Sequence, residues 1–341
     1  MCFGLDIDAP VVKMDAAVDS PPGEFCYGSG LVRPCFTSAP TGSTKLTTDI
    51  DTDGSACVTP ITDVGACVIA AGTIGIDSGV TVHARGSRPL VLVASMSITI
   101  AGTLDVSSSV AGTQGAAADV AGCASSTAPT ASAGGAGGSF GSKGGDGGVT
   151  GGGTAGNTIT VSMLRGGCPG QNGGGAGGGA GGHGGGAVDL IAMTSIFISG
   201  TVNASGAGGT NAGTMAASGG GGGGAGGYIG LDSASVTNSG TLIANGGGGG
   251  EASGTASTGA PGHDPDTTAP FTPAAGGAGG STYGSDGGSG FAQGSSAQPG
   301  SNTCLTPCTT PTDGGGGGGG AGIIHVVPSQ TVGGNVSPSA T

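Results

Sequence analysis

The chain has 341 residues, of which 85 are glycine and only 35% belong to the hydrophobic class. That is too little apolar side chain for the two ordinary cores such a length would carry, and it argues against a conventional enzyme. Charged residues make up 8% and leave a formal net charge of −13, and every Lys and Arg precedes position 166. A phosphate backbone or an anionic lipid surface finds no neutralising cations in the second half, so nucleic acid and membrane headgroups are not expected partners.

Residues 1–23, MCFGLDIDAPVVKMDAAVDSPPG, are acidic, without a period that could bury a face, and are expected to form a linker. The segment resembles the Asp/Ala/Pro tethers that follow the acylated cysteine of bacterial surface lipoproteins, in particular the glycine-rich ones of myxobacteria and their relatives. The resemblance implies that Cys2 is lipidated and that the chain sits on an outer cell surface. A lipid at Cys2 would be its one link to a membrane, since no run reaches the ~18 apolar residues of a spanning helix. A free or crosslinking thiol on a flexible arm is the alternative.

Residues 24–65 have a more ordinary composition and are expected to form a disulfide-bonded N-terminal cap. Cysteines fall into local couples, Cys26 with Cys35, Cys57 with Cys67, Cys123 with Cys168 and Cys304 with Cys308, leaving Cys2 alone. Eight cysteines allow 105 connectivities, so this pairing rests on proximity. Closing the loop from Cys123 to Cys168 is worth about 4 kcal/mol, and each shorter loop about 2 to 3. The competing zinc reading needs ligand clusters that only the segment around Cys304 and Cys308 approaches. Disulfides imply an oxidising compartment, hence an extracellular protein.

Within the cap, Asp49, Asp51 and Asp53 followed by Gly54 reproduce the opening of a calcium loop, which needs oxygen ligands on alternate residues and a glycine at the bend. Pro60 stands where the bidentate Glu would be, so the trio is a weak calcium candidate beside the plainer reading of a solvated acidic turn. No other cofactor is expected.

Residues 66–341 contain an internal repeat. Five segments align without gaps, beginning near Ala66, Pro89, Ala187, Gly227 and Gly322. Ile74, Ile98, Ile196 and Val236 share one apolar column. A Gly-Thr-apolar turn recurs at Gly102-Thr103-Leu104, Gly200-Thr201-Val202 and Gly240-Thr241-Leu242. Val68, Leu92, Leu190, Gly230 and Ile324 are taken as equivalent, with spacings of 24 residues or 24 plus an insertion. Alternating β-branched residues favour strands. The expected fold class is therefore all-β, a short parallel β-helix of five repeats of about 24 residues. A β-sandwich with similar strands is the alternative.

Glycine-rich insertions are expected at about 108–185, 207–226 and 247–320. Gly135, Gly138, Gly141, Gly144 and Gly147 recur every third residue, as do Gly175, Gly178, Gly181 and Gly184. Three residues per turn with only glycine on the packed face is the logic of an extended left-handed helix, so the insertions are expected to pack as polyglycine-type helices. They resemble the glycine-rich sandwiches of springtail antifreeze proteins and of some phage-tail adhesins. Flexible linkers are the alternative.

No nucleotide fingerprint stands out from the glycine background, and the Gly137 to Gly141 match to a nucleophile elbow has no strand and helix around it. Enzymes built on such repeats line one face with carboxylates and bases. In the alignment Asp189 falls opposite Val91, His325 opposite Val93 and Asp232 opposite Ala94, so Asp232 points away from the other two and no acid–base cluster forms. His83, His183 and His263 read as surface residues. The expected function is a non-catalytic structural or adhesive surface protein, whose open last rung is expected to stack end to end into fibres and whose partner is itself or another surface macromolecule. An ice- or glycan-binding protein using the glycine-rich layer and a polysaccharide-active enzyme are the alternatives.

Overall fold

The computed structural model describes residues 23–123, 127–213, 217–254, 258–279, 284–302 and 313–341. The N-terminal strands are β1 (Phe25–Cys26), β2 (Cys35–Phe36), β3 (Ser43–Lys45) and β4 (Ile50–Asp51). The next four are β5 (Cys67–Ile76), β6 (Thr81–Arg85), β7 (Leu90–Ile100) and β8 (Thr103–Asp105). After the first glycine-rich stretch come β9 (Ala187–Ala192), β10 (Ser195–Ile198) and β11 (Thr201–Asn203), then β12 (Tyr228–Ser233), β13 (Val236–Asn238) and β14 (Thr241–Ile243). The last two are β15 (Ile323–Val327) and β16 (Asn335–Ser337).

Apart from the antiparallel hairpin β1–β2, these strands pair in parallel, in one sheet of eight and one of six. The long strand β7 unites the larger sheet: Leu90–Ala94 pair with Val188–Ala192 of β9, and Ser97–Ile100 with Ser195–Ile198 of β10. The smaller sheet runs β4, β6, β8, β11, β14, β16. Between the sheets lies the main core, where Ile74, Ile98 and Ile196 meet Val82, Leu104 and Val202. The chain passes from one sheet to the other at Gly102, Gly200 and Gly240. A Cβ on Gly200 would overlap the Gly102 carbonyl, so the stacked corners admit only glycine.

A second core covers the outer face of the larger sheet's first half. Val91, Val93, Ile191 and Tyr228 are buried there under the β1–β2 hairpin, through Tyr27 and Val32, and under the glycine layer, through Phe140 and Leu164. The glycine segments are held by backbone bonds to several neighbours at once. The amides of residues 219–224 donate in turn to the carbonyls of Gly174, Gly314, Thr210, Gln171, Gly317 and Ala207. These stretches are a hydrogen-bonded layer, not flexible linkers.

This topology corrects the expected fold class. Among the described residues there is no helix of any kind, polyglycine-type helices included, and the strands make two parallel sheets of unequal size instead of a five-repeat β-helix. One reason lies in the expected cap: β3 and β4, within residues 24–65, already pair with β5 and β6. Another is register. Leu190 pairs with Leu231 and not with Gly230, and Ile324 lies beside Ile229. Ile74, Ile98, Ile196 and Val236 do share a column, as do the threonines of the three Gly-Thr turns. No helix among the described residues is long and apolar enough to cross a membrane.

Candidate functional site

Three of the four expected disulfides are present. Cys26–Cys35 closes the hairpin, Cys57–Cys67 ties a loop to β5, and Cys123–Cys168 joins two stretches of the glycine layer. These bonds belong to a chain that matures in an oxidising compartment, as extracellular proteins do. Cys2, Cys304 and Cys308 lie outside the described residues. Beside Cys123–Cys168 the buried Arg165 donates to the Val120 and Ala121 carbonyls and stacks 5.8 Å from the Phe140 ring centroid.

The expected calcium trio does not converge. Asp49 accepts the His83 amide and faces its Nδ1, Asp51 accepts the Asp53 amide, and Asp53 accepts the Ser87 amide and hydroxyl. Those contacts hold the Asp49 and Asp53 carboxyls below the usual range, His83 acting on the first and Ser87 on the second. Among the described residues the one grouping tight enough for an ion is Glu24 with Cys26 and Cys35, whose sulfurs are already bonded to each other. Two of the three histidines expected to stand alone at the surface have partners: His83 lies between Asp49 and Asp105, and His183 Nδ1 meets Asp119, while His263 is exposed.

Asp189, Asp232 and His325 share one face, against the expected alignment. Asp189 pairs with Gly230, which in turn pairs with His325, and Asp232 pairs with Ile191, two residues further along. Asp232 receives the amides of Ser29 and Gly30 in the hairpin turn. Asp189 is 3% exposed, and burial together with the Asp232 charge pushes its carboxyl up to about 7. The neighbouring Tyr228 phenol is raised by burial and by the two carboxylates. Gly230 makes room for this arrangement, since a Cβ there would overlap Asp189 Oδ1. The two carboxylates are enclosed under the hairpin and closed to a polymer.

The open surface is the other half of the same sheet. There β7, β10 and β13 turn alternate residues outward with no layer over them. Ser97 pairs with Ser195, and Thr99, Phe197 and Thr237 form the next column. Ser199 and Ser239 follow at the corner, both exposed. Phe197 is 42% exposed, and Met96 and Met193 flank the face at 52% and 50%. These outward positions on β7, β10 and β13 carry no charge. Lys45 on β3 and Asp77, just past the end of β5, pair with each other beside this face. Around the corner, Thr81, Thr103, Thr201 and Thr241 stand in register on the smaller sheet, from exposed at Thr81 to buried at Thr241.

Sequence reasoning missed this face because it followed the inward column. Ile98, Ile196 and Val236 had been aligned, and the strand alternation places their neighbours Thr99, Phe197 and Thr237 outside. A cleft of about 320 Å³ between the hairpin and β5, walled by Phe36, Pro40, Val58, Pro60, Ile61 and Ala70, holds no acid or base. No protein-family profile, curated protein or solved structure matches the chain.

Proposed function

We propose that the chain is a non-catalytic protein of the outer cell surface, structural or adhesive in role, whose contact surface is the uncharged face of β7, β10 and β13. The observation that carries this reading is the combination on that face of hydroxyls, methionines and one phenylalanine with no charge, on a sheet tied to its N-terminal loop by Cys57–Cys67 and backed by the main core and the smaller sheet. A flat, rigid surface loses little conformational entropy on contact, which suits adhesion. Asp189 and Asp232 are enclosed under the hairpin, and Asp49, Asp53 and Asp119 are engaged by His83, Ser87 and His183, which supports a binding role over a catalytic one.

Beads coated with the protein, scored for retention on films of polysaccharide, hydrophobic glass and hydrophilic glass under flow, test the reading. Retention on at least one film that falls when Thr99→Lys and Thr237→Lys place charges on the face, and holds with Thr48→Lys in the exposed loop between β3 and β4, is the expected result. Retention indifferent to the face overturns it.

A second reading, ice binding, is favoured by the in-register row of Thr81, Thr103 and Thr201 on the smaller sheet, in place of the glycine-rich layer. Thermal hysteresis of the purified protein, lost in Thr103→Lys, would identify it.

A further inference from the structure

The ring of Phe197 stands inside a rectangle of hydroxyls. Thr99 and Thr237 are its register partners on the two adjacent strands, roughly 4.8 Å to either side. Ser195 and Ser199 flank it on its own chain, roughly 6.8 Å away in each direction where the strand is extended. The ring is 42% exposed, so a good part of its apolar surface meets water.

We propose that this rectangle is a subsite for a sugar unit of an uncharged polysaccharide lying across β7, β10 and β13. The proposal rests on the adhesive reading above and names its ligand. A sugar ring has an apolar side of C–H bonds and a rim of hydroxyls. Stacked on Phe197, it sets the C–H side on the ring and the rim against Ser and Thr hydroxyls, each of which both donates and accepts. Hydroxyls stand on each of the three strands, so a chain of sugars running along the stack meets Thr99 on one side of the Phe197 unit and Thr237 on the other.

Charge decides between glycan classes. The nearest cation in this column is Lys45, three strands from Phe197 through Gly75 and Thr99, and it is paired with Asp77. A uronate, sulfate or phosphate polymer would find no counter-charge here and would meet a protein of net charge −13. Phe197 also breaks the hydroxyl row between Thr99 and Thr237, which suits a sugar ring and spoils an ice-matching rank. No acid or base adjoins the ring, so the subsite holds a polymer without cleaving it.

Affinity electrophoresis of the full chain in native gels cast with a neutral β-glucan, a neutral galactomannan or polygalacturonate is the test. The expected result is retardation by at least one neutral polymer and none by polygalacturonate. Phe197→Ala should weaken it roughly tenfold and Phe197→Trp should preserve it, while Met163→Ala, at an exposed apolar residue elsewhere, leaves it unchanged. Because Phe197 is exposed, thermal melting of the variants should match the parent. Equal retardation by polygalacturonate, no retardation by either neutral polymer, or a Phe197→Ala variant that binds as before overturns the proposal. Bead retention that depends on Thr99 and Thr237 without retardation in any gel leaves the adhesive face standing and removes the sugar. Phe197-dependent retardation without bead retention keeps the sugar subsite and removes the adhesive role.

Discussion

Asp189 lays its carboxylate over Gly230, the residue paired with it on the neighbouring strand, and a methyl group at position 230 would collide with it. The carboxyl is thereby kept from water, with Asp232 and Tyr228 beside it and His325 on the far side of Gly230 in register.

Stability should therefore fall as pH rises towards neutrality. The folded state holds the Asp189 proton up to about pH 7, whereas the unfolded chain releases it near 3.8. Across that window the folded form binds the extra proton, so raising pH removes stability. Asp264, also raised by burial, acts in the same direction. The lowered carboxyls of Asp49, Asp53 and Asp266 lose their contribution only in acid, outside the window. Urea midpoints at pH 5 and pH 8 should differ, and Asp189→Asn should flatten the difference and stabilise the protein at pH 8 by about 2 to 4 kcal/mol. An unchanged slope would place the proton elsewhere.

The glycine layer should reject side chains where backbones touch. A Cβ on Gly141 would overlap the Gly322 carbonyl, and one on Gly178 the Gly173 carbonyl. Gly141→Val and Gly178→Val should each cost about 3 kcal/mol or more, measured by thermal melting. Gly213, where the nearest atom would lie 3.7 Å away, should accept Ala with little change. Equal effects at all three sites would contradict the packing.

Cys123–Cys168 should matter most among the disulfides, because it closes the longest loop, with a sequence separation of 45 against 9 and 10. Replacing both cysteines by serine should cost about 4 kcal/mol in the chain-entropy view. Thiol titration under denaturing, non-reducing conditions should leave at least six cysteines unreactive, and reaction of all nine would refute the pairing.

The last strands are covered, which bears on the expectation of end-to-end fibres. Gln330 accepts the Val236 amide and donates to the Ser233 carbonyl, and Thr341 exchanges backbone bonds with Ile324 and Val326. With these groups satisfied, the edge has little to offer a second copy. The full chain should sediment as a monomer at micromolar concentration, and Gln330→Ala combined with deletion of residues 338–341, which leaves β16 in place, should bring concentration-dependent association. A monomeric variant would show that something other than these groups protects the edge.

Much of the molecule is readable in the sequence, in places where chemistry leaves little freedom. Cysteines nine or ten residues apart found each other, and the Gly-Thr corners marked the passage between sheets. The failures trace to single-residue slips. Placing Gly230 beside Leu190, where Leu231 belongs, put Asp232 on the wrong face, because a strand shifted by one residue turns every side chain over. Two of the strongest features of β12, Gly230 and Asp232, serve the enclosed carboxyl pair, and their pattern gives no apolar anchor for register. The calcium trio is drawn apart because Asp49 and Asp53 accept from His83 on β6 and from Ser87 just after it, while Asp51 accepts the Asp53 amide within the motif.

The bonded glycine layer also sets how the protein responds to temperature. Its unfolding exposes amides and almost no hydrocarbon, and hydrated amides lower the heat-capacity increment that hydrocarbon raises. Per residue, the increment should lie well under the usual ~12–15 cal/mol/K, giving a broad, shallow stability curve. Cooling weakens hydrophobic cores but leaves such a lattice of backbone bonds in place. A protein so constructed keeps its shape in cold water, with the sheet core alone subject to the loss that cold brings.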